Sequence, residues 1–158
     1  MKLMKTLLVA LALTGSAAYA QSCEQAVNSE DKAATSICEK ELASSNDANL
    51  QYLTGFAYDK KEDFENAAKF YTKAAEQGHV KSQYNLGTMY NDGQGVPKDY
   101  AKALEWYSKA AEQGHGEAQF NIGVMYRLGL GVTKNKATAK EWFGKACDSG
   151  INEGCARR

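Results

Sequence analysis

With 158 residues, 19 Lys and Arg against 19 Asp and Glu, and no block of like charge, the chain lacks the basic stripe that nucleic acid requires and carries no charged tail. A single Pro and 44% apolar residues argue against disorder. The length allows one domain with a packed core.

In chain order, Lys2 and Lys5 precede the apolar run Leu7–Leu13, and Ala18-Tyr19-Ala20 follows. A charged start, a short apolar stretch and an A-x-A site read as a secretory signal peptide over residues 1–20, cleaved after Ala20. The run is too short for a membrane anchor, which needs roughly 20 residues. Cys23 is not a lipidation site, because Ala20-Gln21-Ser22 before it lacks a small-residue lipobox ending at the cysteine. The expected location is therefore periplasmic or secreted, with no stable membrane anchor.

Residues 21–49 hold Cys23 and Cys38 and read as an N-terminal helical cap. Beyond them the chain repeats. Ser82–Tyr90 (SQYNLGTMY) returns as Ala118–Tyr126 (AQFNIGVMY) 36 residues later, and Leu50–Tyr58 (LQYLTGFAY) is an earlier copy 32 residues upstream. The four-residue difference is a glycine loop, present at Gly93-Gln94-Gly95 and Gly129-Leu130-Gly131 and missing after Tyr58. The units are thus 50–81, 82–117 and 118–153, with 154–158 a C-terminal tail.

Each unit contains two helical patterns. Asp63, Asp99 and Asn135 stand 36 apart before alanine-rich runs and are N-cap residue types. Gly78, Gly114 and Gly150 follow at the C′ position. Between them Ala67, Phe70, Tyr71 and Ala74 recur as Ala103, Trp106, Tyr107 and Ala110, and as Ala139, Trp142, Phe143 and Ala146, the i, i+3, i+4, i+7 spacing of a buried face. The first helix buries Leu86 and Tyr90, or Ile122 and Tyr126, on either side of Gly87 or Gly123. A mid-helix glycine costs about 1 kcal/mol relative to alanine. Its recurrence predicts a close helix crossing, received by Ala67, Ala103 and Ala139. Such hairpins cannot bury their faces alone and must stack, so the fold class is all-α, a short right-handed α-solenoid of helix-turn-helix repeats.

The even cysteine count in an exported chain suggests disulfides rather than metal ligation. Three pairings of Cys23, Cys38, Cys147 and Cys155 exist on paper. In an elongated array the ends are far apart, which favours Cys23–Cys38 and Cys147–Cys155, each contributing roughly 2–3 kcal/mol.

The units 82–117 and 118–153 follow the pattern A-x-x-N-L-G-x-M-Y-x-x-G-x-G-V-x-x-D-x-x-K-A-x-x-W-Y-x-K-A-A-x-x-G nearly throughout. This resembles the Sel1-like repeat, a longer relative of the tetratricopeptide repeat, over roughly residues 50–155; the unit at 50–81 departs from it in lacking the G-x-G-V loop. Cys147 and Cys155 resemble the bridge that staples helix to helix in cysteine-rich secreted members, here with at most a stub of a partner helix. The resemblance implies a protein-interaction module. Exported bacterial members include immunity proteins that neutralise periplasm-acting toxins and modules that regulate envelope processes, so the implied partner is a toxin or an envelope protein.

Chemistry-bearing motifs are sparse. The glycine loops have no preceding strand and no G-x-x-x-x-G-K-[ST] context, and read as turns. His79 and His115, the two histidines, read as solvent-edge residues, short of a metal site's three or four ligands. Ser29-Glu30-Asp31-Lys32 fits S-x-x-K, but the S-D-N and K-T-G elements of penicillin-recognising enzymes are absent. No catalytic residue, metal or cofactor is expected; a penicillin-binding or cell-wall-modifying enzyme acting through Ser29 is the alternative.

In stacked hairpins the first helices line the concave wall. The candidate partner-binding residues there are Tyr52, Phe56 and Asp59; Tyr84, Thr88 and Asn91; and Phe120, Val124 and Arg127, spaced i, i+4, i+7 in each unit. Tyr52, Tyr84 and Phe120 either form an aromatic ladder for a partner or pack between units. The non-repeated positions are then the better specificity candidates. The expected state is a monomer or weak homodimer.

Overall fold

The computed structural model describes residues 15–158, with side chains from Ser22 onward. The charged and apolar parts of the expected signal peptide, Lys2 to Leu13, lie outside the described residues. Every regular element described is helical: α1 (Gly15–Asn28), α2 (Ala34–Leu42), α3 (Ala48–Asp59), α4 (Phe64–Glu76), α5 (Val80–Asp92), α6 (Tyr100–Glu112), α7 (Gly116–Leu128), α8 (Lys136–Asp148) and the single turn α9 (Asn152–Cys155). The pairs α3–α4, α5–α6 and α7–α8 are hairpins that stack in chain order, the all-α solenoid expected from the repeat.

Local sequence explains the helix boundaries. Asp63 accepts from the Asn66 amide at 3.3 Å, Asp99 from Lys102 at 3.0 Å, and Asn135 from Ala137 and Thr138 at 3.0 and 3.1 Å. Each satisfies orphan donors of a first turn. The glycine loops are turns. Gly93 and Gly129 close α5 and α7 in the left-handed conformation. The second loop glycine allows a close approach between units. A side chain on Gly95 would run into the backbone of Phe64 at the start of α4, and one on Gly131 into Tyr100 at the start of α6. Both also have φ of +67°. The loop therefore locks each unit onto its predecessor.

The mid-helix glycines mark a close crossing, but alanine is not what fills it. A Cβ on Gly55, Gly87 or Gly123 would lie 2.7, 2.6 or 2.7 Å from the ring of Tyr71, Tyr107 or Phe143 respectively. The alanine contributes only its carbonyl, 3.3 Å away for Ala67 and 3.2 Å for Ala139. The three rings are at most 2% exposed. The neighbouring aromatics behave differently from the expectation of one buried face. Phe70, Trp106 and Trp142 are half-exposed, covered by Lys73, Lys109 and Lys145 one turn on, at 5.3, 4.0 and 4.0 Å. The face holds one ring of each pair, so Phe70, Trp106 and Trp142 take the rim and a lysine stem lies over each. Tyr90 and Tyr126 are likewise only half-buried.

A buried glutamine in each first helix ties the hairpins together. Gln77 donates to Gln51 at 2.7 Å, Gln113 to Gln83 at 2.8 Å, and Ser149 to Gln119 at 2.8 Å. Gln83 and Gln119 in turn donate to the carbonyls of Ala75 and Ala111 in the preceding unit. At the ends, Cys23–Cys38 joins α1 to α2 under α3, and Cys147–Cys155 joins α8 to α9. Gly154 rests against the Phe143 carbonyl, so the stub helix sits directly on α8.

The ring-on-glycine contact gives a direct test. Gly87→Ala forces the Tyr107 ring to move and is expected to destabilise by about 1–3 kcal/mol. Gly144→Ala, a helical site with nothing within 4 Å, is expected to stabilise by about 0.5–1 kcal/mol. Urea unfolding of the two variants checks both signs.

Candidate protein-interaction surface

The face carried by α3, α5 and α7 is built outward from the three buried rings. Tyr52, Tyr84 and Phe120 lie on them, with centroids 6.0 Å from Tyr71, 5.8 Å from Tyr107 and 5.3 Å from Phe143. Each also meets a residue from further along the chain: Tyr52 meets His79 at 4.7 Å, Tyr84 meets His115 at 4.6 Å, and Phe120 meets the Arg157 guanidinium at 4.9 Å. The aromatic ladder is therefore part of the packing between units and stays half-exposed.

The positions expected to confer specificity touch the same rings. The Tyr71 hydroxyl donates to Asp59 at 3.3 Å, the Tyr107 hydroxyl donates to Thr88 at 3.1 Å, and Arg127 lies 5.5 Å from the Phe143 ring, which has no hydroxyl to offer. Burial raises the Asp59 carboxyl above its usual range against the opposing Tyr71 bond. Burial likewise pushes the Tyr107 hydroxyl up to about 12. Both phenols stay protonated and act as donors at neutral pH.

The nine candidate residues divide into three places. Tyr84, Thr88 and Asn91 of α5 and Val124 of α7 meet around a cleft of about 260 Å³, floored by Tyr107, Met125 and Leu130. Arg127 lines a separate pocket of about 240 Å³ with Lys136, Ala139, Lys140, Phe143 and Arg157. Tyr52, Phe56, Asp59 and Phe120 line neither; Phe56 stacks on Tyr52 at 6.1 Å.

The histidines are not solvent-edge residues. His79 and His115 are the N-caps of α5 and α7, their Nδ1 atoms accepting from the amides of Ser82 at 3.2 Å and Ala118 at 3.4 Å. Burial lowers both below the ordinary histidine range, aided at His79 by Lys81; at His115 the Glu117 carboxylate 3.3 Å away opposes the shift. Their place directly after Gly78 and Gly114 was a usable signal, because a residue between two helices is a cap position. The third equivalent, Ile151, caps nothing through its side chain. The repeated Gln51, Gln83 and Gln119 were equally visible as one letter per unit.

Ser29, the first residue of the S-x-x-K match, sits in the turn after α1 and donates to the Ala26 carbonyl at 3.2 Å. Among the described residues no group of three or more His, Cys, Asp or Glu is placed to hold a metal ion. No described helix is long and apolar enough to cross a membrane.

The Sel1 repeat matches residues 46–79, 80–115 and 116–151. The chain is 32% identical to a Sel1 repeat protein from Oxalobacter formigenes, with a TM-score of 0.74 over 86% of this chain and 56% of that one. A protective antigen present in uropathogenic Escherichia coli strains, displaying an SLR fold, is 39% identical with a TM-score of 0.71 over 76% of this chain and 26% of that one. Helicobacter pylori cysteine rich protein B, 23% identical with a TM-score of 0.57 over 92% and 97%, shares the fold. The chain spans about half the length of the Oxalobacter protein and about a quarter of the antigen. No curated protein matches it.

The caps predict a pH dependence. Because the folded histidines titrate below 6.5, the unfolded chain binds more protons between that value and their folded pKa. Stability should therefore be highest above about pH 6.5 and fall as pH drops through the window beneath it. His79→Asn with His115→Asn keeps capping oxygens that do not titrate, and should flatten the melting-temperature profile between about pH 7.5 and 5. An unaltered slope would show that the rings do not carry it.

Proposed function

As the chain belongs to the Sel1 repeat family, whose repeats are protein–protein interaction modules, we propose that it holds a partner protein against the concave face of α3, α5 and α7. The observation that carries this reading is the cleft between α5 and α7, where non-repeated side chains (Thr88, Asn91, Val124) project from a repeated frame of buried rings. A frame set by packing presents these groups preorganised, which lowers the entropic cost of binding. The family is generally a non-catalytic scaffold, in keeping with a binding role.

Two disulfides and the sequence of residues 1–20 support a periplasmic or secreted setting. Within that setting the finer reading is an immunity protein that neutralises a periplasm-acting toxin by stoichiometric binding. The absence of a charged stripe fits a protein partner rather than nucleic acid.

Asn91 and Val124 line the cleft without bonding to the buried rings, so they can be changed without loosening the frame. The oxidised protein, immobilised and exposed to periplasmic and secreted extract, is expected to retain one stoichiometric partner. Asn91→Lys with Val124→Lys should weaken that capture at least tenfold, about 1.4 kcal/mol. Capture indifferent to the double variant would move the site off this face.

A further inference from the structure

The stack has two ends, and they carry opposite charge. Residues 21–49, which include α1 and α2, hold six carboxylates against two lysines, a side-chain charge of −4. Residues 118–158, the third unit with α9, hold seven cations against three carboxylates, a charge of +4. Residues 50–117 between them are close to balanced, with ten carboxylates against eight lysines. Charge is therefore separated along the axis of the stack.

Each end also offers a surface. Within the stack a loop glycine is seated on the start of the preceding second helix, Gly95 on α4 and Gly131 on α6. Among the described residues no glycine is seated in this way on the start of α8, and Lys136 and Lys140 are exposed there. With Arg127 and Arg157 they line the pocket of about 240 Å³, which has no carboxylate in its wall. None of these four cations is in an ion pair among the described residues. At the opposite end, α1, α2 and the turn between them bound a shallow trough of about 610 Å³ to which α3 contributes nothing. Asp31 and the half-exposed Ile37 are in its wall, and no cation is. Glu24 is exposed one turn before Asn28, which also lines the trough, so the carboxylate stands on the same side of α1.

The charges select one occupant for these surfaces. Two copies meeting through the same end would set acid against acid or base against base, which opposes association. Meeting through opposite ends sets −4 against +4, and every copy carries both. The repeat geometry favours the same arrangement, because stacked hairpins bury one another's faces and the α1–α2 hairpin presents one to the third unit of another copy.

We propose that the α1–α2 end of one copy docks on the α7–α8 end of the next, so that the solenoid continues from chain to chain. The contact is heterologous: after each docking one acidic and one basic end remain free, and the assembly grows into open chains rather than stopping at a dimer. Exposed charges are screened by salt, so growth weakens as ionic strength rises. The contact uses the two ends of the stack and leaves the face of α3, α5 and α7 open to a partner protein.

Sedimentation velocity of the oxidised protein over a concentration series measures this. In about 10 mM salt, where charges act over about 30 Å, the average mass is expected to climb past that of a dimer. In about 1 M salt, where the range is about 3 Å, it should return to that of the monomer. Two variants then test the orientation, Glu24→Lys with Asp31→Asn at the acidic end and Lys140→Glu with Arg157→Glu at the basic end. All four positions are exposed, and asparagine keeps an oxygen for the Ala33 amide that Asp31 accepts at 2.8 Å. Each variant alone should associate at least tenfold more weakly than the unaltered protein, with an unchanged melting temperature as the control on folding. An equimolar mixture should recover association, because the intact basic end of the first variant meets the intact acidic end of the second. A monomer at every concentration in low salt, growth that stops at a dimer, variants that associate like the unaltered protein, or a mixture no better than its components would each overturn the proposal.

Discussion

Everything in this molecule rests on a ring laid across a glycine. Tyr71 on Gly55, Tyr107 on Gly87 and Phe143 on Gly123 set how near the two helices of each hairpin approach. Three mid-helix glycines forfeit about 3 kcal/mol of helix propensity in total. Each fully buried ring returns roughly 2–3 kcal/mol on its own account, so the exchange favours the contact. A methyl group in place of a glycine hydrogen would widen the hairpin and shift every residue on the outer side of the first helix.

The same rings couple the frame to the surface. One face of each is buried against glycine, while its edge or hydroxyl reaches the exposed side through Asp59, Thr88 or Arg127. The candidate residues Asp59, Thr88 and Arg127 are thereby positioned by the core rather than by one another. Variation is easily accommodated in such a frame. Loss of the hydroxyl at Phe143 is matched by a cation over the ring in place of an acceptor, so the third unit becomes basic without leaving a buried donor unpaired. The change from Asp59 through Asn91 to Arg127 at one register position is a product of that tolerance.

The third unit is covered differently from the first two. Within the stack, Tyr52 and Tyr84 are covered by the histidine that caps the next first helix. After the third unit no such helix follows in the described structure beyond the α9 turn, and Arg157 takes the histidine's place over Phe120. The disulfide Cys147–Cys155 and the close seat of Gly154 hold that segment to α8. The bridge thus does more than hold α9 to α8: it places Arg157 at the edge of the face carried by α3, α5 and α7.

The periodicity of the chain determined a great deal by itself. The caps at Asp63, Asp99 and Asn135, the cysteine pairing and the all-α solenoid follow from signals local in sequence or regular in spacing. Such signals survive translation into structure because helix capping and face periodicity act over a few residues. Tertiary structure decided the rest. It put Tyr71 rather than Ala67 on Gly55, sent Trp106 and Trp142 to the rim, turned His79 and His115 into caps, and brought Arg157 to Arg127 across 30 residues of chain. Repetition reports that a position matters in every unit. Which atom it meets depends on the angle and separation of helices that touch only after the chain has folded, and those are set by the packing of rings against glycine.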